Sequence, residues 1–370
     1  MPTQSPRRNP GAFFGPITLF SIFFLQKILM RPHMITQETI GSTPDGQSVQ
    51  AFTLTNRNHL SLRVLTLGGI VSHLFVPDAN GTLADITLGL PSLDAYLEGH
   101  PYFGALVGRV AGRLTRGTFS ANGKTYTLPC NQPPNHLHGG FHALDKKIWD
   151  AEILDDQSLR LRYTSPDGEE GYPGTVNISV TYMLTNDNEW VLEYEATSDQ
   201  STPFSMTNHA YFNLAGEPAG DIRDHVVQIH ADSYVPVDAE FTLQDRIAPV
   251  ETNDFRSPRL LSDALPGLFG QHGDNYLLNG TGFREAARVH HPATGRTLIA
   301  YTDTPVLQFY TGFNLTGEDL GKSGKKYLPF SAFCLECQGY PAGVNDSPIG
   351  NIMLHPGQTY RQRTVYAFRY

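Results

Sequence analysis

Val176-Asn177-Ile178-Ser179-Val180-Thr181-Tyr182-Met183-Leu184, the turn Thr185-Asn186-Asp187-Asn188, and Trp190-Val191-Leu192-Glu193-Tyr194-Glu195-Ala196 read as the two strands of a hairpin. Apolar residues fall at every second position of the first run, the period of a strand with one face buried. The Asn/Asp-rich turn supplies residues that tolerate tight backbone geometry. The same texture extends in both directions. Upstream, strands are expected over 50–55, 60–67, 70–76, 118–121, 124–128, 149–154 and 159–163, with Asn122-Gly123 as a hairpin turn. Downstream, they are expected over 226–231, 287–291, 297–301, 306–310, 332–338 and 363–368. Two short helices are expected: 92–98, capped by Ser92, and 258–265, capped by Ser257 and stopped by Pro266. Many short strands at hairpin spacing, without strand–helix alternation, predict an all-β fold, a large antiparallel β-sandwich.

Composition agrees. Of 370 residues, 40% are hydrophobic, enough for a substantial core, and 17% are charged, which excludes a disordered chain. The net charge of −9 argues against a nucleic-acid partner, because neutralising phosphates takes clustered Lys and Arg. Three cysteines, Cys130, Cys334 and Cys337, cannot form a disulfide framework and fit a reducing compartment. Residues 1–33 differ from the rest: Arg7-Arg8 precede an apolar run, 13–25, too short for a membrane span and lacking a small-residue cleavage site. A translation start at Met34 is the preferred reading, with a cytoplasmic chain; a signal or anchor, and hence export, is the alternative. Residues 34–370 are expected to form one domain.

The candidate chemistry is scattered. Phe333-Cys334-Leu335-Glu336-Cys337-Gln338 places one carboxylate in an apolar run. As a strand, it puts Phe333, Leu335 and Cys337 on one face and Cys334, Glu336 and Gln338 on the other. The two cysteines therefore point apart and are expected to be packing thiols rather than metal ligands. Glu336 is either a solvent-facing strand residue or a buried proton carrier. Gln338 either orients that carboxylate or fills the strand.

Gly108-Arg109-Val110-Ala111-Gly112-Arg113 offers two guanidinium groups for hydroxyls or for loop carbonyls. In Asn135-His136-Leu137-His138-Gly139-Gly140 the glycines point to a tight turn with the His138 imidazole exposed at a pocket rim, and no third metal ligand is suitably spaced. Thr207, His209 and Tyr211 share a strand face; Asp274 sits in Gly273-Asp274-Asn275-Tyr276; Gln308 lies inside the apolar run 306–310. Arg113, His138, His209, Asp274, Gln308 and Glu336 together are donors and acceptors suited to a neutral polyhydroxylated ligand, with aromatic residues to stack on sugar faces. No phosphate-cradling glycine loop opens a helix, which disfavours a nucleotide cofactor.

At this point the chain resembles the aldose 1-epimerase (galactose mutarotase) family. The matching segments are GRVAGRL, NHLHGG, SPDGEEGYPG, TNHAYFNL, GDNY, LQFYTG and FCLECQGYPAGVN, in order across nearly the whole chain after Met34. The resemblance implies a galactose mutarotase-like β-sandwich that interconverts the anomers of free aldohexoses such as galactose and glucose. It implies Glu336 as general base, His209 as general acid, and Arg113, His138, Asp274 and Gln308 as sugar-binding residues. It implies no metal, no organic cofactor, a small-molecule aldose as partner, no stable protein partner, and a monomer or homodimer. Burial is expected to raise the Glu336 pKa and the nearby carboxylate to favour His209 as the cation. Many family members carry Asn where this chain has Gly112, which leaves substrate preference open. The alternatives are a hexose-6-phosphate 1-epimerase, for which Arg109 and Lys146-Lys147 would have to hold the phosphate, and a non-catalytic carbohydrate-binding or sugar-sensing protein.

Overall fold

A computed structural model describes Met1 and residues 34–217, 220–244, 246–344 and 349–370; the expectations for the N-terminal extension lie outside these residues. Residues His33–Tyr370 form one compact unit. Among the described residues three larger antiparallel sheets build it, with four two-stranded ones beside them. Five N-terminal strands, Met34–Ser42, Ser48–Thr55, Ser61–Leu65, Val71–Pro77 and Leu83–Asp85, pair in chain order. A nine-stranded sheet runs from Asp150–Ile153 through Ser158–Ser165, Val176–Leu184, Glu189–Ser198, Tyr360–Arg369, Thr297–Thr302, Arg284–His290 and Val226–Ile229 to Arg259–Leu260. A second five-stranded sheet has the order Ala248–Pro249, Ser233–Val235, Asn275–Leu277, Val306–Tyr310, Cys334–Gln338.

The hairpin that opened the sequence reading sits in the nine-stranded sheet, with Val176 opposite Ser198 and Leu184 opposite Trp190. Val176, Ile178, Val180, Tyr182 and Leu184 enter the main core, joined by Trp149 and Trp190. Burying an apolar side chain of this size contributes about 1.5–3 kcal/mol. The C-terminal strand Tyr360–Arg369 pairs between Glu189–Ser198 and Thr297–Thr302, so the end of the chain closes the middle of the largest sheet.

Helix is scarce, as expected. Leu93–Glu98 is helical, and Ser92 accepts the Ala95 N–H as its cap. The second helix is shorter than expected. It spans Leu261–Ala264 without a side-chain cap, and Pro266 lies in the following 3-10 turn. Arg259–Leu260, expected to be helical, pair instead with Val226–Val227 at the sheet edge, and Arg259 donates to the carbonyls of Thr252 and Asp254. A sheet edge that needs covering overrides a weak local helix signal. Among the described residues no helix is long and apolar enough to cross a membrane.

The strand Cys334–Gln338 is buried on both faces. Leu335 and Cys337 join the main core, and its outer carbonyls are held from the nine-stranded sheet: Tyr366 Oη–H donates to Leu335 O (2.7 Å) and Gln362 Nε2 to Cys337 O (3.0 Å). These bonds satisfy an edge that would otherwise carry orphan acceptors, and they fix the height of the residue between, Glu336.

Candidate active site

Glu336 stands directly opposite Gln308 in the register of the last two strands of the second five-stranded sheet. Both face a cavity of about 190 Å³ whose lining also includes Arg113, His138 and His209. Five of the six residues singled out from sequence therefore converge. Asp274 does not join the lining; it is buried and its carboxylate accepts a hydrogen bond from Asn253 Nδ2 (3.0 Å). Burial raises its pKa to about 6. Larger depressions exist, such as one of about 580 Å³ beside Tyr340 and Tyr360, but that one has no carboxyl–imidazole pair in its lining.

The two arginines of GRVAGRL part company. Arg109 is buried and donates to Ser165 Oγ (2.9 Å), Ser165 O (3.1 Å), Pro166 O (2.8 Å) and Pro173 O (3.0 Å), so it fastens the two ends of the glycine- and proline-rich segment 165–174. Arg113, four residues on, donates from Nε to Gln132 Oε1 (2.6 Å), and its guanidinium lies 5.2 Å from the centre of the Phe241 ring.

The histidines also divide. His136 is fully buried between Pro129 O (2.6 Å) and Tyr172 Oη (2.8 Å) and has a structural place. His138 occupies the expected tight turn, with φ +51° followed by Gly139 at +91° and Gly140 at +112°. Its ring is buried rather than exposed at the rim. His138 Nδ1 accepts the Gly112 N–H (3.1 Å), so the neutral ring carries its proton on Nε2 as a donor. Gly112 itself has φ +79°, and a Cβ there would meet Pro341 Cγ at 2.7 Å and Gln338 Nε2 at 3.0 Å. An asparagine could not replace it without a shift of that wall.

His209 Nε2 lies 3.8 Å from Glu336 Oε1, and its Nδ1 lies 3.5 Å from Cys334 Sγ. Its ring stacks between those of Tyr211 (5.0 Å) and Tyr102 (5.8 Å). Gln308 donates from Nε2 to Phe309 O (2.9 Å), which leaves its carbonyl oxygen as an acceptor. Gln338 is buried, with Oε1 unpartnered, and it lies opposite Val306; it makes no hydrogen bond to Glu336.

Burial pushes the Glu336 carboxyl up to about 8, against a smaller downward pull from the Arg113 charge. The expectation of a cationic His209 is not met. Burial, with positive or potentially positive His100, His272 and Arg113 nearby, pushes it down to about 3. His138 is also held well below the usual range by burial. The ligand-type atoms of His138, His209 and Glu336 lie within 4.8 Å of one another, close enough for a metal. With His138 Nδ1 taken by a backbone N–H and its proton on Nε2, however, that ring is arranged to donate a hydrogen bond.

Sequence reasoning missed Tyr102, Gln132, Tyr211, His272, Tyr310 and Asn314 as lining residues. Tyr102 has φ +63°, a conformation that no periodicity announces. His272 lies two residues before Asp274, immediately ahead of Gly273-Asp274-Asn275-Tyr276.

A buried carboxyl and imidazole side by side, with guanidinium and imidazole donors, an amide acceptor and aromatic walls, can move a proton between two oxygens of a polyhydroxylated ring. Comparisons with known proteins identify the family. The family model for aldose 1-epimerase matches residues 50–367. The chain is similar to galactose mutarotase of Rattus norvegicus, 43% identical over 340 residues, 90% of this chain and 98% of that protein. It is similar to the Homo sapiens galactose mutarotase, 40% identical over 339 residues with the same coverage. Among solved structures, an aldose epimerase homologue from C. elegans matches with a TM-score of 0.80 and 29% identity, covering 85% of this chain and 97% of that one. The chain belongs to the aldose 1-epimerase family.

Proposed function

We propose that the chain interconverts the α and β anomers of free aldohexoses such as galactose and glucose, with Glu336 and His209 as its acid–base pair. Membership of the family makes it an isomerase acting on carbohydrates. The observation that carries the assignment of roles is the buried Glu336–His209 pair, 3.8 Å apart, in the lining of one cavity with Arg113, His138 and Gln308.

Anomer exchange opens the hemiacetal. Glu336 takes the proton of the C1 hydroxyl, the C1–O5 bond breaks, and His209 delivers a proton to O5. The aldehyde turns about C1–C2 and closes from its other face with both transfers reversed. Between pKa values of about 3 and about 8 the pair holds one proton. In the empty site burial leaves it on Glu336. That is the distribution reached after ring opening. The closed-ring complex needs it on His209. A sugar hydroxyl donating to the carboxylate, with the Arg113 charge nearby, favours that second distribution. The neutral His138 Nε2–H and the Gln308 carbonyl oxygen supply one donor and one acceptor to ring hydroxyls.

Free rather than phosphorylated sugars fit this lining. Arg109 is spent on loop carbonyls, Lys147 pairs with Glu169 (2.7 Å), and Lys146 donates to Phe141 O. We further propose that residues 34–370 carry the whole activity.

Polarimetry of freshly dissolved α-D-galactose and α-D-glucose tests both proposals. Glu336→Gln and His209→Asn are each expected to lose roughly 10²–10⁴-fold in rate while still binding sugar. Near-normal rates in either variant refute its assigned role. A chain begun at Met34 is expected to match the full-length rate.

A further inference from the structure

The segment Gln271-His272-Gly273-Asp274 meets the cavity through His272, not through Asp274. Gly273 sets this up. It has φ +114°, and a Cβ there would lie 2.0 Å from Phe309 O, so the backbone runs directly against the strand Val306–Tyr310. Thr311 pins the turn from the same side: its N–H donates to His272 O (3.0 Å), and its hydroxyl donates to Gln271 O (2.6 Å) with His272 O at 3.1 Å. Asp274 turns to Asn253, while the His272 ring packs 4.6 Å from Tyr310 and 4.9 Å from Phe241. Phe241 also lies under the Arg113 guanidinium, so ring and guanidinium flank one aromatic platform.

The two nitrogens of His272 are not equivalent. Nδ1 lies 3.5 Å from Gly273 O and has a carbonyl to donate to. Nε2 has no hydrogen-bond partner among the described residues, on a side chain that lines the cavity. With the proton on Nδ1, Nε2 presents a lone pair. Burial and the Arg113 charge hold the ring neutral, its pKa pushed down to about 4. A neutral imidazole acceptor and a guanidinium donor on one platform complement a group that donates and accepts at once, which is what a hydroxyl does.

We propose that His272 is a specificity-determining residue: its Nε2 accepts a hydrogen bond from one aldose hydroxyl other than that on C1, while Arg113 donates to the same hydroxyl. This rests on the reading of the cavity as the aldose site. The consequence is a preference for sugars that carry that hydroxyl in the orientation that reaches both groups.

The test compares wild type, His272→Phe and His272→Asn on galactose, glucose and the 2-, 3-, 4- and 6-deoxy galactoses, with kcat and KM from polarimetry. Phenylalanine keeps the ring packing on Tyr310 and Phe241 and removes both nitrogens; asparagine restores an acceptor. His272→Phe is expected to raise KM for galactose roughly three- to tenfold with kcat within about twofold. The penalty is expected to vanish on the one deoxy sugar that lacks the contacted hydroxyl, and His272→Asn to recover part of it. A penalty equal on every deoxy sugar, or a fall in kcat at unchanged KM, overturns the proposal. If His272→Phe fails to fold by circular dichroism, His272→Leu, which likewise removes both nitrogens, decides by the same selective loss. Wild type that anomerises none of these sugars defeats the underlying reading instead, and is seen before any variant is made.

Discussion

Glu336 and Gln308 face each other across two strands, and one is ionisable where the other is not. The ionisable one carries a pH signature. With Glu336 near 8 and His209 near 3, the pair keeps its single proton through neutral pH and loses it above about pH 8. kcat/KM is therefore expected to be level through neutrality and to fall about tenfold per pH unit beyond pH 8. A profile still level at pH 10 contradicts this. The same shift affects stability. Glu336 ionises near 4.5 when unfolded and near 8 when folded, so folding favours its protonated form. The resulting cost is absent below about pH 4.5 and grows as pH rises to about 8. Glu336→Gln removes it. The melting temperature of that variant is expected to match wild type near pH 4.5 and to exceed it by a few degrees at pH 8.

Arg109 and Arg113 make the complementary point. They sit four residues apart in one motif, yet Arg109→Ala is expected to cost stability, about 1–3 kcal/mol from the carbonyls it strands, with activity per folded molecule retained. Chemical denaturation together with polarimetry separates those effects.

Strands were legible because their signal is local: alternation and turn residues lie within ten positions of each other. Asn122-Gly123 forms the expected hairpin turn, with both residues at positive φ. The helix expected over 258–265 begins only at Leu261, because the pairing of Arg259–Leu260 with Val226–Val227 is not encoded in the segment's own residues. Glycines show the same division. Gly123 and Gly273 both have positive φ, but a Cβ on Gly123 meets nothing within 4 Å, whereas one on Gly273 meets Phe309 O at 2.0 Å. Gly123→Ala is expected to cost about 1–2 kcal/mol of backbone strain and leave catalysis alone. Gly273→Ala must displace the turn that carries His272, so it is expected to lower the melting temperature further and to raise KM. Equal effects in the two variants, by thermal unfolding and polarimetry, would contradict this account.

Across the whole molecule, long-range contacts tie the sheets together. Lys322 Nζ reaches Asp85 Oδ2 (2.6 Å) and Ser72 O (2.7 Å), fixing a late loop to the N-terminal sheet with both charges about nine-tenths buried. Removing one partner leaves a buried charge alone. Lys322→Met is expected to lose about 3–5 kcal/mol in urea denaturation, and the Asp85→Asn/Lys322→Met double variant to recover part of that loss. No recovery would mean that the pair acts through packing instead.

Sequence alone determined the antiparallel β architecture, the division of faces on the strand holding Glu336, and the set from which the cavity is drawn. Period-two alternation and turn chemistry act between near neighbours, and the segment motifs keep their order along the chain. Only the tertiary structure decided that Glu336 is buried beside His209, that Arg109 binds backbone while Arg113 faces the cavity, and that His272 lines it where Asp274 does not. It also left His209 neutral where a cation was expected. Desolvation depends on everything packed around a group, and the groups around His209 come from residues as far apart in sequence as Tyr102 and Glu336.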